Sequence, residues 1–254
     1  MDIDALLVLA GLGVGFLVGL TGMGGGALLT PLLVLGFGIP PLVAVGSDLV
    51  ASLTMKPVGG AVHLRRGTVD LRLVWWLAAG SVPSAFLGAA LLGNISNADG
   101  VQEFLRQALG LALLLSALSM LVKSVLIARA STRGRFEEAM SSPPAVRPLP
   151  TLAVGIFGGC FVGMTSVGSG SLIIVLLMLV YPGLTARALV GTDLVQAVPL
   201  VGAAALGHLL FGEVEFALTA SLVIGSLPGV YVGARLSSSV STTLIRRVLV
   251  FVLF

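Results

Sequence analysis

Thr21-Gly22-Met23-Gly24-Gly25-Gly26 recurs later in the same chain as Thr165-Ser166-Val167-Gly168-Ser169-Gly170. Further out, Gly46-Ser47-Asp48-Leu49-Val50 recurs as Gly191-Thr192-Asp193-Leu194-Val195, and His63 as His208. Gly67-Thr68-Val69-Asp70 recurs as Gly212-Glu213-Val214-Glu215, and Gly80-Ser81-Val82-Pro83 as Gly225-Ser226-Leu227-Pro228. The offset is 144 residues from Thr21 to Thr165 and 145 from Asp48 to Asp193, so one gap near residues 36–45 aligns the two halves. A very apolar chain that contains itself twice carries the signature of a transporter built from two related halves.

Hydrophobic residues make up 57% of the chain and charged residues 10%. A soluble domain carries about 25% charged residues, so this chain lacks the charge to cover a water-facing surface. Its apolar runs have helical lengths rather than the roughly 10-residue alternation of a membrane barrel. The 34 glycines suit close helix packing in lipid. The single cysteine, Cys160, excludes an internal disulfide and a cysteine-based metal cluster. No metal, cofactor or nucleic-acid partner is expected, and no enzyme motif is present. The acidic start Met1-Asp2-Ile3-Asp4 lacks the basic residues of a signal peptide, so the first apolar segment is expected to stay.

Each half divides into five apolar segments. They cover residues 3–20, 26–37, 41–64, 71–92 and 104–127, then 152–164, 170–181, 185–211, 216–236 and 242–254. A span needs about 20 residues, and the second segment of each half falls short. Arg65, Arg66 and Arg72 mark the loop after the third segment as cytoplasmic, and Asp99 and Glu103 mark the next as external. The linker, with Arg129, Arg133, Arg135 and Arg147, reads as cytoplasmic, and the N-terminus as external. The second half reverses these signs: Glu213 and Glu215 replace the first basic pair, and Arg235, Arg246 and Arg247 replace the acidic pair.

The expected fold is therefore an all-α polytopic membrane protein of two inverted repeats. Each repeat is a glycine-tipped helical hairpin plus three transmembrane helices. The first covers residues 1–128, a linker covers 129–150, and the second covers 151–254. The lengths admit re-entrant hairpins or pairs of short crossing helices.

The two tips offer chemistry without side-chain charge. Gly24, Gly25 and Gly26 permit a sharp reversal and close backbone approach, and the helix that follows exposes unpaired N–H groups and a partial positive charge. The second tip adds Thr165, Ser166, Ser169 and Gly170 to the first tip's Thr21. Opposed helix starts at the bilayer midplane would form an anion site. Lys56 lies inside the third segment, where a charge is costly unless it meets a polar partner, and its repeat counterpart is Val201. It is a candidate attractor of an anion. Gln196, whose counterpart is Ala51, is a candidate polar contact. Asp48 and Asp193 occupy matching positions and either carry a coupling ion or hold the tips by accepting hydrogen bonds. His63 and His208 sit near segment ends and are expected at the membrane interface.

The runs Gly19-Leu20-Thr21-Gly22-Met23-Gly24-Gly25-Gly26, Pro31 and Ala44-Val45-Gly46-Ser47-Asp48-Leu49 carry a family resemblance. Gly163-Met164-Thr165-Ser166-Val167-Gly168-Ser169-Gly170 and Val190-Gly191-Thr192-Asp193-Leu194 repeat it. The chain resembles the sulfite exporter TauE/SafE family over residues 5–254. The resemblance implies a permease of the bacterial plasma (inner) membrane handling sulfite, sulfonates or related sulfur oxyanions. The expected function is a secondary transporter that exports such an anion by alternating access, with the anion and the lipid bilayer as its partners. The rivals are a passive anion channel and a non-transporting scaffold or assembly subunit.

Overall fold

Helices form in the order that the apolar segments dictate, in a computed structural model that describes residues 3–21, 25–95, 103, 107–111, 114–115, 118 and 145–237. The first half contributes α1 (Ala5–Thr21), α2 (Gly26–Pro31, continued by a π-turn over Leu32–Gly36), α3 (Pro41–Arg65) and α4 (Leu71–Ile95). The second contributes α5 (Pro148–Thr165), α6 (Leu172–Val180), α7 (Ala186–Phe211) and α8 (Phe216–Ser237). Among the described residues there is no strand. Five of these helices, α3, α4, α5, α7 and α8, are long and apolar enough to cross a membrane. Most of segment 104–127, most of the linker and all of segment 242–254 lie outside the described residues.

Local chemistry sets the irregular points. The stretch read as linker to residue 150 is helical from Pro148, because proline suits a first helical position, where its missing N–H would be unpaired anyway. Pro31 cannot donate within its helix, and the chain continues as a wider turn closed by Phe37 N to Leu32 O at 3.2 Å. The hydroxyl of Thr185 caps α7 by accepting from Ala188 N at 3.2 Å.

The α5–α6 hairpin closes at its base. Tyr181, just past α6, accepts from Arg147 N at 2.7 Å, and its hydroxyl lies 2.6 Å from that of Thr151. The hairpin thus leaves where it enters. Its second limb has nine residues, about 13 Å of helix and too little to cross a bilayer.

Glycines decide how the halves meet. A Cβ on Gly225 would lie 1.9 Å from Val8 O, and one on Gly229 would lie 2.4 Å from Leu12 O. The numbers climb together, so α1 and α8 run parallel with backbones in contact. Gly80 meets Leu152 O and Gly88 meets Cys160 O in the same manner, so α4 and α5 are also parallel. Gly225 on Val8 and Gly80 on Leu152 are repeat counterparts, as are Gly233 on Phe16 and Gly88 on Cys160. The matched helices α3 and α7 pack oppositely: Gly60 faces Val195, while Leu53 faces Gly202, so they run antiparallel.

The connecting turns repeat this exchange. Glu215 N donates to Ser47 Oγ at 3.2 Å, and Asp70 N donates to Thr192 Oγ1 at 3.1 Å. Each turn therefore nests against the other half's helix, one residue before a motif aspartate.

Burial is inside out relative to a water-soluble protein. Thr30, Ser47, Asp48, Ser52, Lys56 and Gln196 are buried, while Leu6, Leu35, Leu149 and Leu179 are exposed. An apolar exterior around a polar interior is what lipid contact selects, and the chain is a multi-pass membrane protein. With Cys160 replaced by serine, Arg66→Cys and Glu213→Cys are expected to react with a membrane-impermeant maleimide from opposite sides of sealed vesicles. Reaction of both from one side would contradict the opposed orientation of the halves.

Candidate functional site

Asp48, Ser52 and Lys56 follow one another at four-residue spacing on α3, so they share one face of the helix. The stripe covers about 12 Å at 1.5 Å per residue and occupies the middle of Pro41–Arg65. The turn between α5 and α6 lies against it. Ser166 donates to Asp48 Oδ2 at 2.7 Å, and Lys56 Nζ donates to Ser169 Oγ at 2.6 Å. From the first hairpin, Thr30 donates to the same Asp48 oxygen at 2.7 Å, and Ser52 reaches Oδ1 at 3.2 Å. Asp48 thus accepts from both hairpins and from its own helix while fully buried.

The two tips touch. A Cβ on Gly26 would lie 2.0 Å from Ser166 O, so only glycine allows this approach. Ala27 and Val167 pack together beside it. Gly25 lies against Ser52 and Met55 of α3, which joins the first tip to the same stripe.

The second tip needs its glycines for backbone reasons. Ser166 ends α5 in the left-handed region at φ 58°, and Gly168 and Gly170 follow at φ 111° and 98°. Those last two values suit a residue without a Cβ. Thr165 braces the turn: it donates to Phe161 O at 2.7 Å and accepts from Val167 N at 3.2 Å. Its hydroxyl is therefore engaged within the hairpin. Several first-turn N–H groups are also engaged within the tips. Leu28 N and Leu29 N donate to Gly25 O, and Ile173 N donates to Gly168 O. The short length of α2 limits its dipole. Side chains therefore supply more of the local polarity than the helix starts alone.

Of the first-tip residues singled out in the sequence, Gly24 and the side chain of Thr21 lie outside the described residues, while Gly25 and Gly26 form the contact with α3 and Ser166. Ser166, Ser169 and Gly170 belong to the turn that faces the Asp48–Lys56 stripe. Asp193 is buried on α7, and both it and Asp48 act electrostatically on Lys56. Gln196 is buried on α7, and its Nε2 hydrogen-bonds Ser81 Oγ on α4. Its Oε1 has no partner among the described residues. Ser226 is the counterpart of Ser81, and its hydroxyl is likewise unmatched because Ala51 stands where the second half has Gln196.

The two histidines part company. His63 lies half-buried at the end of α3, with Nδ1 2.9 Å from Thr68 Oγ1. His208 is not interfacial as expected: it is fully buried, and its Nε2 lies 2.9 Å from Gly163 O. A carbonyl only accepts, so Nε2 carries the proton. The reason is orientation: this face of α7 turns toward α5 rather than toward lipid.

Thr30, Ser52 and Ser81 joined the site only in three dimensions. Ser52 was legible at four residues from both Asp48 and Lys56. Thr30 was hidden because its repeat counterpart, Ile174, is apolar. Ser81 stood in a recognised repeat, but its partner on α7 was not readable from spacing. Among the described residues no group of three or more His, Cys, Asp or Glu side chains is placed to hold a metal.

The family model described as sulfite exporter TauE/SafE matches residues 7–254. "Probable membrane transporter protein YjnA" of Bacillus subtilis (strain 168) is 41% identical over 232 residues, 91% of this chain and 89% of that protein. "Probable membrane transporter protein YdhB" of the same organism is 25% identical, over 92% of this chain and 90% of its own length. A "Probable membrane transporter protein" of Xylella fastidiosa (strain 9a5c) is 28% identical, over 98% of this chain and 92% of its own length. No solved structure matches the chain.

Gly26→Ala is expected to push the tips apart at a destabilisation of about 1–3 kcal/mol, as overpacking does. Gly13→Ala, with nothing within 4 Å of its added Cβ, is the control that leaves the melting temperature in detergent unchanged or higher. Equal melting of the two variants would mean that the tips do not meet at Gly26.

Proposed function

Because the chain belongs to the sulfite exporter TauE/SafE family, we propose that it carries a small sulfur oxyanion, sulfite or an organosulfonate, across the bacterial inner membrane. Cargo sits between the hairpin tips and the polar stripe of α3, and the two halves, residues 1–128 and 151–254, rock around it by alternating access. The linker 129–150 stays cytoplasmic. Net movement is outward when the anion builds up in the cell, which is the direction the family's description names.

The observation that carries this reading is the ammonium of Lys56. It is buried at the middle of a spanning helix, within reach of a tip hydroxyl. A cation at that depth is costly and is retained where it faces a polar partner or an anion. Ser169 occupies Lys56 with a single hydrogen bond to a neutral acceptor, which an oxyanion exchanges for an ion-paired one. Sulfite and sulfonates present three oxygens around sulfur, so one oxygen takes Lys56 while another accepts from the hydroxyl of Ser169, and Ser166 keeps its proton on Asp48. A lone lysine, partly balanced by Asp48 and Asp193, attracts the anion and still lets it leave.

The antiparallel packing of α3 against α7 and the reciprocal turn contacts support the inverted relation of the halves. An inverted pair supplies two equivalent ways to open, one to each side, at little structural cost. Repeat symmetry serves the scaffold, while Lys56 opposite Val201 and Gln196 opposite Ala51 make the site itself one-sided. Gly24, Gly25, Gly26, Gly170, Thr21 and Thr165 shape the tips in this scheme, and Gln196 orders the neighbouring α4–α7 contact.

In proteoliposomes, Lys56→Gln is expected to weaken sulfite binding by about tenfold or more. A hydrogen bond to a charged group is worth roughly 1.5–3 kcal/mol. The neutral analogue dimethyl sulfone should be little affected. Unchanged sulfite affinity would remove Lys56 from the site.

A further inference from the structure

Three charged side chains are buried among the described residues: Asp48, Lys56 and Asp193. Gly59 and Gly60, just past Lys56 on α3, pack against Leu194 and Val195, just past Asp193 on α7, and Asp48 lies two turns before Lys56 on the same face, so both carboxyl groups neighbour the ammonium. One cation against two carboxyl side chains leaves the cluster with no positive charge to spare. An arriving anion adds a charge that nothing else in this apolar interior balances, and unbalanced charge is strongly disfavoured there.

We infer that Asp193 takes up a proton as an anion loads beside Lys56, so that anion and proton cross together. The inference rests on the transport reading above and assigns the two motif aspartates different tasks.

Asp48 is poorly suited to the proton because of its bonds. Oδ2 accepts from Thr30 and Ser166, and Oδ1 accepts from Ser52. A proton there would displace one of these donors and loosen a tip from α3. Asp193 lies on the opposite half, within the electrostatic reach of Lys56, and its protonation leaves the tip contacts of Asp48 intact.

The charged and titratable groups around Asp193's stretch of α7 are few. From α3 come Lys56 and Asp48. His63, whose Nδ1 would lie 3.0 Å from a Cβ on Gly191, and Asp70, whose N–H reaches Thr192, come from the end of α3 and the turn after it. The buried residues of α4 and α5 add hydroxyls but no charge, and those of α6 are apolar. On α7 itself Arg187 precedes Asp193 by six residues in sequence, and His208 lies four turns further along.

The position also offers a route for release. Thr192, the residue before Asp193, holds the turn at Asp70. A change of charge at Asp193 thus occurs one residue from the contact that closes this end of α7. The proton enters from the water phase that the open carrier faces and leaves with the anion on the other side. No covalent bond in cargo or protein changes.

The test uses the purified full chain in proteoliposomes that enclose a pH dye, with radiolabelled ethanesulfonate as probe. This sulfonate stays ionised across the working range, so any proton that moves with it is carried by the protein. One proton per sulfonate is expected. An outside-acid gradient of one pH unit should raise accumulation about tenfold, while a potassium diffusion potential should change it little. In Asp193→Asn the proton count per sulfonate falls toward zero at whatever rate remains, and Asp193→Glu restores it.

Sulfonate flux without protons, or flux driven by a sodium gradient, overturns this inference and leaves the transport reading standing. An unchanged proton count in Asp193→Asn, or its loss in His208→Gln instead, overturns the assignment to Asp193. No sulfonate movement by the unmodified protein under any gradient overturns the transport reading and this inference with it.

Discussion

A carboxylate buried in the middle of a membrane helix must be met by hydrogen-bond donors, and Asp48 draws them from three directions. Thr30 brings the first hairpin, Ser166 the second, and Ser52 its own helix. Removing any one donor leaves charge less well solvated in a region where water does not compensate. The tip geometry follows from that demand. Gly26 has no side chain because Ser166 passes through the space it would fill. Gly168 and Gly170 take backbone angles that bring Ser169 round to Lys56.

The scaffold around this knot repeats, and its centre does not. Glycine faces pair α1 with α8 and α4 with α5 through matching contacts, and the turns at Asp70 and Glu215 exchange matching bonds with Thr192 and Ser47. Small residues let helix backbones meet where lipid gives no hydrophobic push. Along α3 the stripe reads Asp48, Ser52, Lys56; along α7 the same positions read Asp193, Ala197, Val201. For the proposed anion cargo, placing the cation on one repeat, with two near-equivalent scaffolds about it, offers a single locus without a second competing one.

Much of this was legible from residue types and spacing. The glycine hexamers, the low charge and the doubled Asp motif pointed to an all-helical membrane protein, and the family match agrees. Lys56 stood out because it is charged, lies deep in an apolar run and has no repeat counterpart. The hydroxyls around it were less visible, since serine and threonine are common in membrane helices and need no partner to be tolerated. Thr30 lies on a limb whose counterpart carries isoleucine, so comparison of the halves passes over it. Tyr181, which closes the base of its hairpin on Arg147 and Thr151, is separated from them by a whole tip. His208 looked like an end-of-helix residue, and only the packing of α7 on α5 turns it inward.

The central claim is that an oxyanion rests on Lys56 at the second hairpin tip. Selenite is a close analogue of sulfite, and selenium scatters anomalously. A crystal structure of the protein soaked with selenite should show one anomalous peak within hydrogen-bonding range of Lys56 Nζ, bordered by Ser166 and Ser169. A peak elsewhere in the bundle, with Lys56 still bound to Ser169, would contradict the account.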